Sequence, residues 1–150
     1  MWTKWDEVVR SFRERVPDEL RDEIKASFDE SRSETYPHVQ IYLQGRKINT
    51  IHYEWCRKDR HIYASLHFEQ SSPAANRTVL ANFDADRAEL ESALGSPAEW
   101  GPIDGRRSDT HIAFVLPQDV DPQRAADVML TLIAMTWPRL TRLLPRERTV

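Results

Sequence analysis

The feature that most constrains this chain is a period of two. Between residues 36 and 69, Val39, Ile41 and Leu43 alternate with His38, Gln40 and Tyr42. The same beat returns in Ile51, Tyr53 and Trp55, and again in Ile62, Ala64, Leu66 and Phe68. Such alternation belongs to strands with one buried and one polar face, because successive strand side chains point to opposite sides. Register follows from parity. A two-residue turn at Lys58-Asp59 pairs Trp55 with Ile62, Tyr53 with Ala64 and Ile51 with Leu66, so the apolar residues share one face. For Val39 and Ile41 to join them, the first hairpin, around Gln44 to Lys47, needs an odd loop length. Gly45 offers the positive φ that a three-residue loop with a bulge requires.

The flanking segments read as helices. Over 2–30, Thr3 can cap, and Trp5, Val8, Val9, Phe12 and Val16 recur at helical spacing. Pro17 followed by Asp18 and Glu19 suits a first helical turn, which predicts a break near Val16–Pro17 and a second helix burying Leu20, Ile24 and Phe28. Residues 31–35 are polar and read as the exit loop. Asn76 can cap a helix that carries Leu80, Phe83, Leu90 and Leu94 inward and stops at Gly95. Trp100 and Ile103 suggest a short strand, and 110–116 a clear one with Ile112, Phe114 and Leu116 on one face. Asp121-Pro122 opens a last helix with the broadest apolar stripe, from Val128 through Trp137 to Leu144, which Pro138 should kink or restart. The order α-βββ-α-ββ-α predicts an α+β domain: an antiparallel sheet of about five strands with helices packed on one face. At 150 residues it reads as a single domain, long enough to bury about two-thirds of its unfolded surface.

Composition narrows the function classes. Lys and Arg number 21 against 24 Asp and Glu, a formal net charge of −3, which disfavours general coating of nucleic acid. The lone cysteine, Cys56, forbids an internal disulfide and any cysteine-rich zinc module. No apolar stretch approaches the roughly 18 residues of a membrane span, and the amphipathic start does not resemble a signal peptide, so a cytoplasmic protein is expected. The four glycines form no phosphate loop, and no nucleophile elbow is present. Glu23-Ile24-Lys25, the acid-x-Lys tripeptide a restriction-type nuclease would need on a strand, falls on an expected helix.

The polar face of the sheet is the most informative surface. Parity gathers His38, Tyr42, His52, Glu54, His61, Tyr63, His67 and Glu69 there. His52 and His67 are expected as diagonal neighbours, roughly 7–8 Å apart at the backbone. The leading reading is a partner-binding surface built on Tyr42, His52, Glu54, Tyr63 and His67, taking a protein partner or a second copy of the chain, without catalysis, cofactor or metal. The bland alternative is that Tyr and His merely tolerate a half-wet face. A second functional reading is a nucleic-acid accessory with Arg106 and Arg107, adjacent in the turn Asp104-Gly105-Arg106-Arg107, contacting phosphate. A third is metal-dependent hydrolysis at His52 and His67 with a glutamate, the two-histidine, one-carboxylate pattern. His52-Tyr53-Glu54 also has the His-x-Glu of zinc deaminases, but the cysteine pair that chemistry needs is missing. Arg139, Arg142, Arg146 and Arg148 form a second basic cluster that reads as helix-dipole compensation and a solvated tail, and core packing is expected for two of Trp2, Trp5 and Trp137.

The run Tyr36-Pro37-His38-Val39-Gln40-Ile41-Tyr42-Leu43, the strand over 48–55, the helix ending Glu91-Ser92-Ala93-Leu94-Gly95 and the segment Glu99-Trp100 through Asp104-Gly105-Arg106-Arg107 resemble an uncharacterised bacterial and archaeal domain family. The closing helix with Trp137 and its downstream arginines fits as well. That family is a domain of unknown function often found after restriction-endonuclease-like nuclease domains. The resemblance implies a link to DNA processing or defence by association only, and it carries no catalytic residues.

Overall fold

A computed structural model describes residues 5–21, 27–31, 37–42 and 50–143. Helix α1 (Trp5–Arg15) turns Trp5, Val8, Ser11 and Phe12 inward at the spacing of one helical face. The break at Val16–Pro17 follows, but the second helix is a single turn, α2 (Asp18–Arg21). The expected continuation through Phe28 is corrected: Ser27–Ser31 forms strand β1, pairing antiparallel with β2 (His38–Tyr42). Pairing to an existing strand edge supplies five residues with ladder bonds that an isolated short helix would have to make alone. The expected burial of Ile24, the exit loop at 32–35 and the Gln44 to Lys47 hairpin lie outside the described residues.

Strands β3 (Ile51–Lys58), β4 (His61–Phe68), β5 (Glu99–Ile103) and β6 (Arg106–Pro117) complete a six-stranded, wholly antiparallel sheet of order β1-β2-β3-β4-β6-β5. The sheet thus has six strands, β1 being the addition. Between β3 and β4 the turn falls on Asp59-Arg60, both with positive φ (50° and 64°), so Trp55 opposes Ala64, Tyr53 opposes Leu66 and Ile51 opposes Phe68. A two-residue turn with both central φ positive matches the twist of the strands it joins. The expected register is therefore off by two residues, which preserves parity: every apolar side chain keeps its face.

Helix α3 (Pro73–Ala81) is capped by Ser72, whose hydroxyl accepts from the Ala75 amide at 3.2 Å. Asn76, expected as that cap, is instead buried within the helix, where it bridges the Gln70 backbone and the Ser108 carbonyl. A 3₁₀ turn (Asp84–Asp86) leads into α4 (Arg87–Leu94), which ends at Gly95 with φ +70° as expected. Helix α5 (Pro122–Leu143) starts on the Asp121 cap and runs on through Pro138.

One apolar cluster joins the sheet to the helices. Val39, Ile41, Ile51, Tyr53, Trp55, Ile62, Leu66, Phe68, Ile112 and Phe114 meet Phe12, Phe83, Leu90, Met129, Ile133 and Trp137. Trp5 and Trp137 both belong to it. Two polar bonds seat α5: the Tyr53 hydroxyl lies 2.7 Å from Thr136 Oγ1, and Trp55 Nε1 donates to the Ala125 carbonyl at 3.1 Å. Burial raises the Tyr53 phenol above its ordinary value. Among the described residues, no helix is long and apolar enough to cross a membrane.

Candidate functional site

The helices leave the other face of the sheet to a polar layer. Its centre is a row across three neighbouring strands, in which His52 on β3 opposes His67 on β4, and His67 opposes His111 on β6. The ring centroids are 5.3 Å and 5.7 Å apart along this row, and the Tyr42 ring lies 6.4 Å from His52 at its other end. Beyond His111 the register partner is Gly101, which has no side chain. A second row runs alongside, with Gln40 opposite Glu54 and Glu54 opposite Ser65.

These residues were expected on an open surface, and the burial corrects that. His52 is 3 % exposed, Glu54 1 %, His67 2 % and Tyr42 4 %, while Tyr63 is half-buried. Direct register accounts for part of this: opposed pairs stand closer than diagonal ones, so large rings set side by side across adjacent strands, tilted or edge-on, shield one another. The parity of the face is as expected, but its use as an exposed docking surface is not available to four of the five proposed residues.

Polar contacts thread the layer. The Tyr42 hydroxyl donates to Gln40 Oε1, and Gln40 Nε2 donates to Glu54 Oε1 at 3.3 Å. Glu54 faces both imidazoles, with Oε1 3.5 Å from His52 Nε2 and Oε2 3.6 Å from His67 Nε2. His67 Nδ1 is 3.0 Å from Glu69 Oε1, which also receives Arg106 Nη1 at 3.3 Å. His111 Nε2 is 3.4 Å from Glu99. His52 differs from its neighbours, since neither ring nitrogen has a hydrogen-bond partner although both are buried.

Burial sets the proton affinities at the rim. Desolvation, reinforced by the neighbouring His67, pulls His111 down to about 4, so it is a neutral imidazole at neutral pH. For Glu69, burial pushes the carboxyl up, but the His67 hydrogen bond and the charges of His52, His67 and Arg106 together outweigh it and hold the group low. Burial, with Glu99 nearby, raises the Tyr63 phenol.

A cavity of about 310 Å³ opens on this face, lined by Lys58, Tyr63, Ser65, His67, Glu99, Arg106 and His111 among others. The Ser65 hydroxyl at its wall is buried and without a partner. A larger hollow, about 460 Å³, lies between α1 and the β1–β2 edge, but every polar side chain lining it (Asp6, Arg10, Arg13, Glu14, Glu30) is exposed. Without a buried polar group to orient a ligand, it is the weaker candidate despite its size.

Arg106 and Arg107 do open β6 directly after the Asp104-Gly105 turn. Arg106 is engaged with Glu69 and lines the cavity, and the side chain of Arg107 lies outside the described residues. The residues missed from sequence are His111, Ser65 and Glu99. His111 was within reach, since the inward parity of Ile112, Phe114 and Leu116 already places it on the polar face. No family model matches the chain, nor does any curated protein or solved structure, so the reading of the site rests on its own geometry.

Proposed function

We propose that the chain is a binding module, not an enzyme, and that it takes a small polar ligand of no net charge in the cavity between β3, β4, β5 and β6. The observation that carries this is the Ser65 hydroxyl, buried in the cavity wall with no partner and able to donate and accept once a ligand arrives. The ligand class follows from the lining. Lys58 and Arg106 are set against Asp59, Glu99 and Asp104, and each cation already has an acid beside it, Lys58 with Asp104 at 3.8 Å and Arg106 with Glu69 at 3.3 Å. The neutral His111 adds one donor and one acceptor rather than charge. A zwitterionic amino acid or a nucleoside matches such a mixed wall better than phosphate does. Binding is favoured over acyl transfer because no base stands within hydrogen-bonding distance of Ser65, leaving the hydroxyl unactivated.

The test is an amide NMR titration of the labelled protein, kept in chelator, with free amino acids, ribonucleosides and inorganic phosphate added separately. Saturable shifts at Ser65, His67 and His111 are expected for an amino acid or a nucleoside and not for phosphate, and Ser65→Val should weaken them several-fold. The proposal fails if none of these amides moves at ligand concentrations on the order of millimolar, or if phosphate alone moves them.

A further inference from the structure

The His52 side chain has no evident structural purpose. It is 1 % exposed, and both of its ring nitrogens lack a hydrogen-bond partner. Burying an unsatisfied polar group is unfavourable, and a leucine at this position would avoid that cost. Glu54 Oε1, at 3.5 Å from His52 Nε2, approaches it without forming a hydrogen bond. An imidazole kept dry and unbonded next to carboxylates is best accounted for by a partner that is a cation rather than a hydrogen-bonding group.

The neighbours supply the rest of such a site. One ligand atom each from His52, His67 and Glu69 lie within 4.8 Å of one another, and His67 Nδ1 and Glu69 Oε1 stand at 3.0 Å. A first-row ion sits ~2.0–2.2 Å from each nitrogen or oxygen donor, which puts donors ~3.4 Å apart. The widest separation in the cluster therefore has to close by up to about 1.4 Å, and the 3.0 Å pair has to open by about 0.4 Å. The sheet provides the rigidity. His52 and His67 are register partners on two hydrogen-bonded strands, and Glu69 follows directly on β4, its amide donating to the Thr50 carbonyl at 2.6 Å. Glu54 lies behind both imidazoles, 3.5 Å from His52 Nε2 and 3.6 Å from His67 Nε2, close to where carboxylates behind metal-bound histidines commonly sit.

We propose that His52, His67 and Glu69 bind one divalent first-row transition metal ion, through two imidazole nitrogens and one carboxylate oxygen. Nitrogen and oxygen donors without thiolate suit zinc, iron(II) or cobalt(II) rather than calcium or magnesium, which prefer all-oxygen shells. This site is separate from the ligand reading above: His67 touches both, but His52 is not part of the cavity lining.

The test uses the full chain without a histidine tag, stripped with chelator, dialysed, and titrated with zinc chloride by calorimetry. Cobalt(II) absorption then reports the donor set. One ion per chain is expected. His52→Ala and Glu69→Gln should each weaken zinc by at least about tenfold, the loss seen even when residues behind metal ligands are changed. His61→Ala, an exposed imidazole on the same sheet, should leave affinity unchanged. Absence of saturable zinc binding overturns the proposal, as does affinity equal to wild type in His52→Ala. Should His52→Ala fail to fold, Glu69→Gln decides: it removes the charge at a half-buried position with its shape kept, and unaltered zinc affinity there overturns the three-donor site.

Discussion

The two faces of the sheet are buried for different reasons. On the helix-covered face, Trp55, Tyr53 and Leu66 are sealed by α1 and α5, and the stabilisation comes from apolar area removed from water. On the opposite face, His52, Glu54 and His67 are as deeply buried, yet they gain little apolar stabilisation and, in the case of His52, satisfy no hydrogen bond. The comparison teaches that burial alone does not say what a layer is for. One face holds the fold together through apolar burial, and the other keeps polar groups out of water at a cost that its hydrogen bonds offset for His67 and Glu69 but not for His52.

The largest expected effect lies on the apolar face. Trp55 has no exposure, meets Phe12 edge-on at 5.5 Å and donates to the Ala125 carbonyl. Trp55→Ala should cost about 3–5 kcal/mol by denaturant unfolding, or prevent folding, by opening a cavity and removing that hydrogen bond. A loss under about 1 kcal/mol would deny this face its structural role.

Acid should act mainly on the polar face. The folded state holds His111 at about 4 against an ordinary 6.5, so the unfolded chain takes up the proton first. In metal-free protein, stability should be full above about pH 6.5 and fall toward pH 4, by on the order of 3 kcal/mol if the whole shift is realised. Glu69 adds a loss in the same direction at lower pH, because its folded carboxyl is held below 4.5 and its contribution disappears as it protonates. Thermal unfolding across this range checks the sign, and His111→Asn should flatten the upper part of the slope. A melting temperature that rises on acidification would contradict it.

The smallest effect draws the sharpest contrast. His52→Leu, at a site as buried as Trp55, should change the stability of metal-free protein by no more than about 1 kcal/mol, and in the stabilising direction, because it removes an unsatisfied group. Clear destabilisation in chemical denaturation would show that His52 contributes to the fold in the absence of any ligand.

Legibility from sequence varied by element and for physical reasons. The two faces could be read because strand side chains have a period of two, and the observed two-residue shift between β3 and β4 left that parity intact. Strand β1 was hidden because Leu20, Ile24 and Phe28 also fit a helical stripe, and a short edge strand is specified by its partner more than by its own residues. Ser72 and Asn76 are both residue types that cap well, and only the surrounding loops show which one is free to do so.

What the sequence determined by itself was which side chains share a face, since alternation is a local property of the backbone and needs no knowledge of neighbours. Tertiary structure decided the rest of the site: that His52, His67 and His111 stand directly opposite one another, that Glu54 and Glu69 approach this row, and that the three imidazoles and Glu54 are shut away from water. Those relations depend on strand order and on the turn at Asp59-Arg60, quantities set by how segments distant in the chain pair and pack, to which a pattern along one strand is blind.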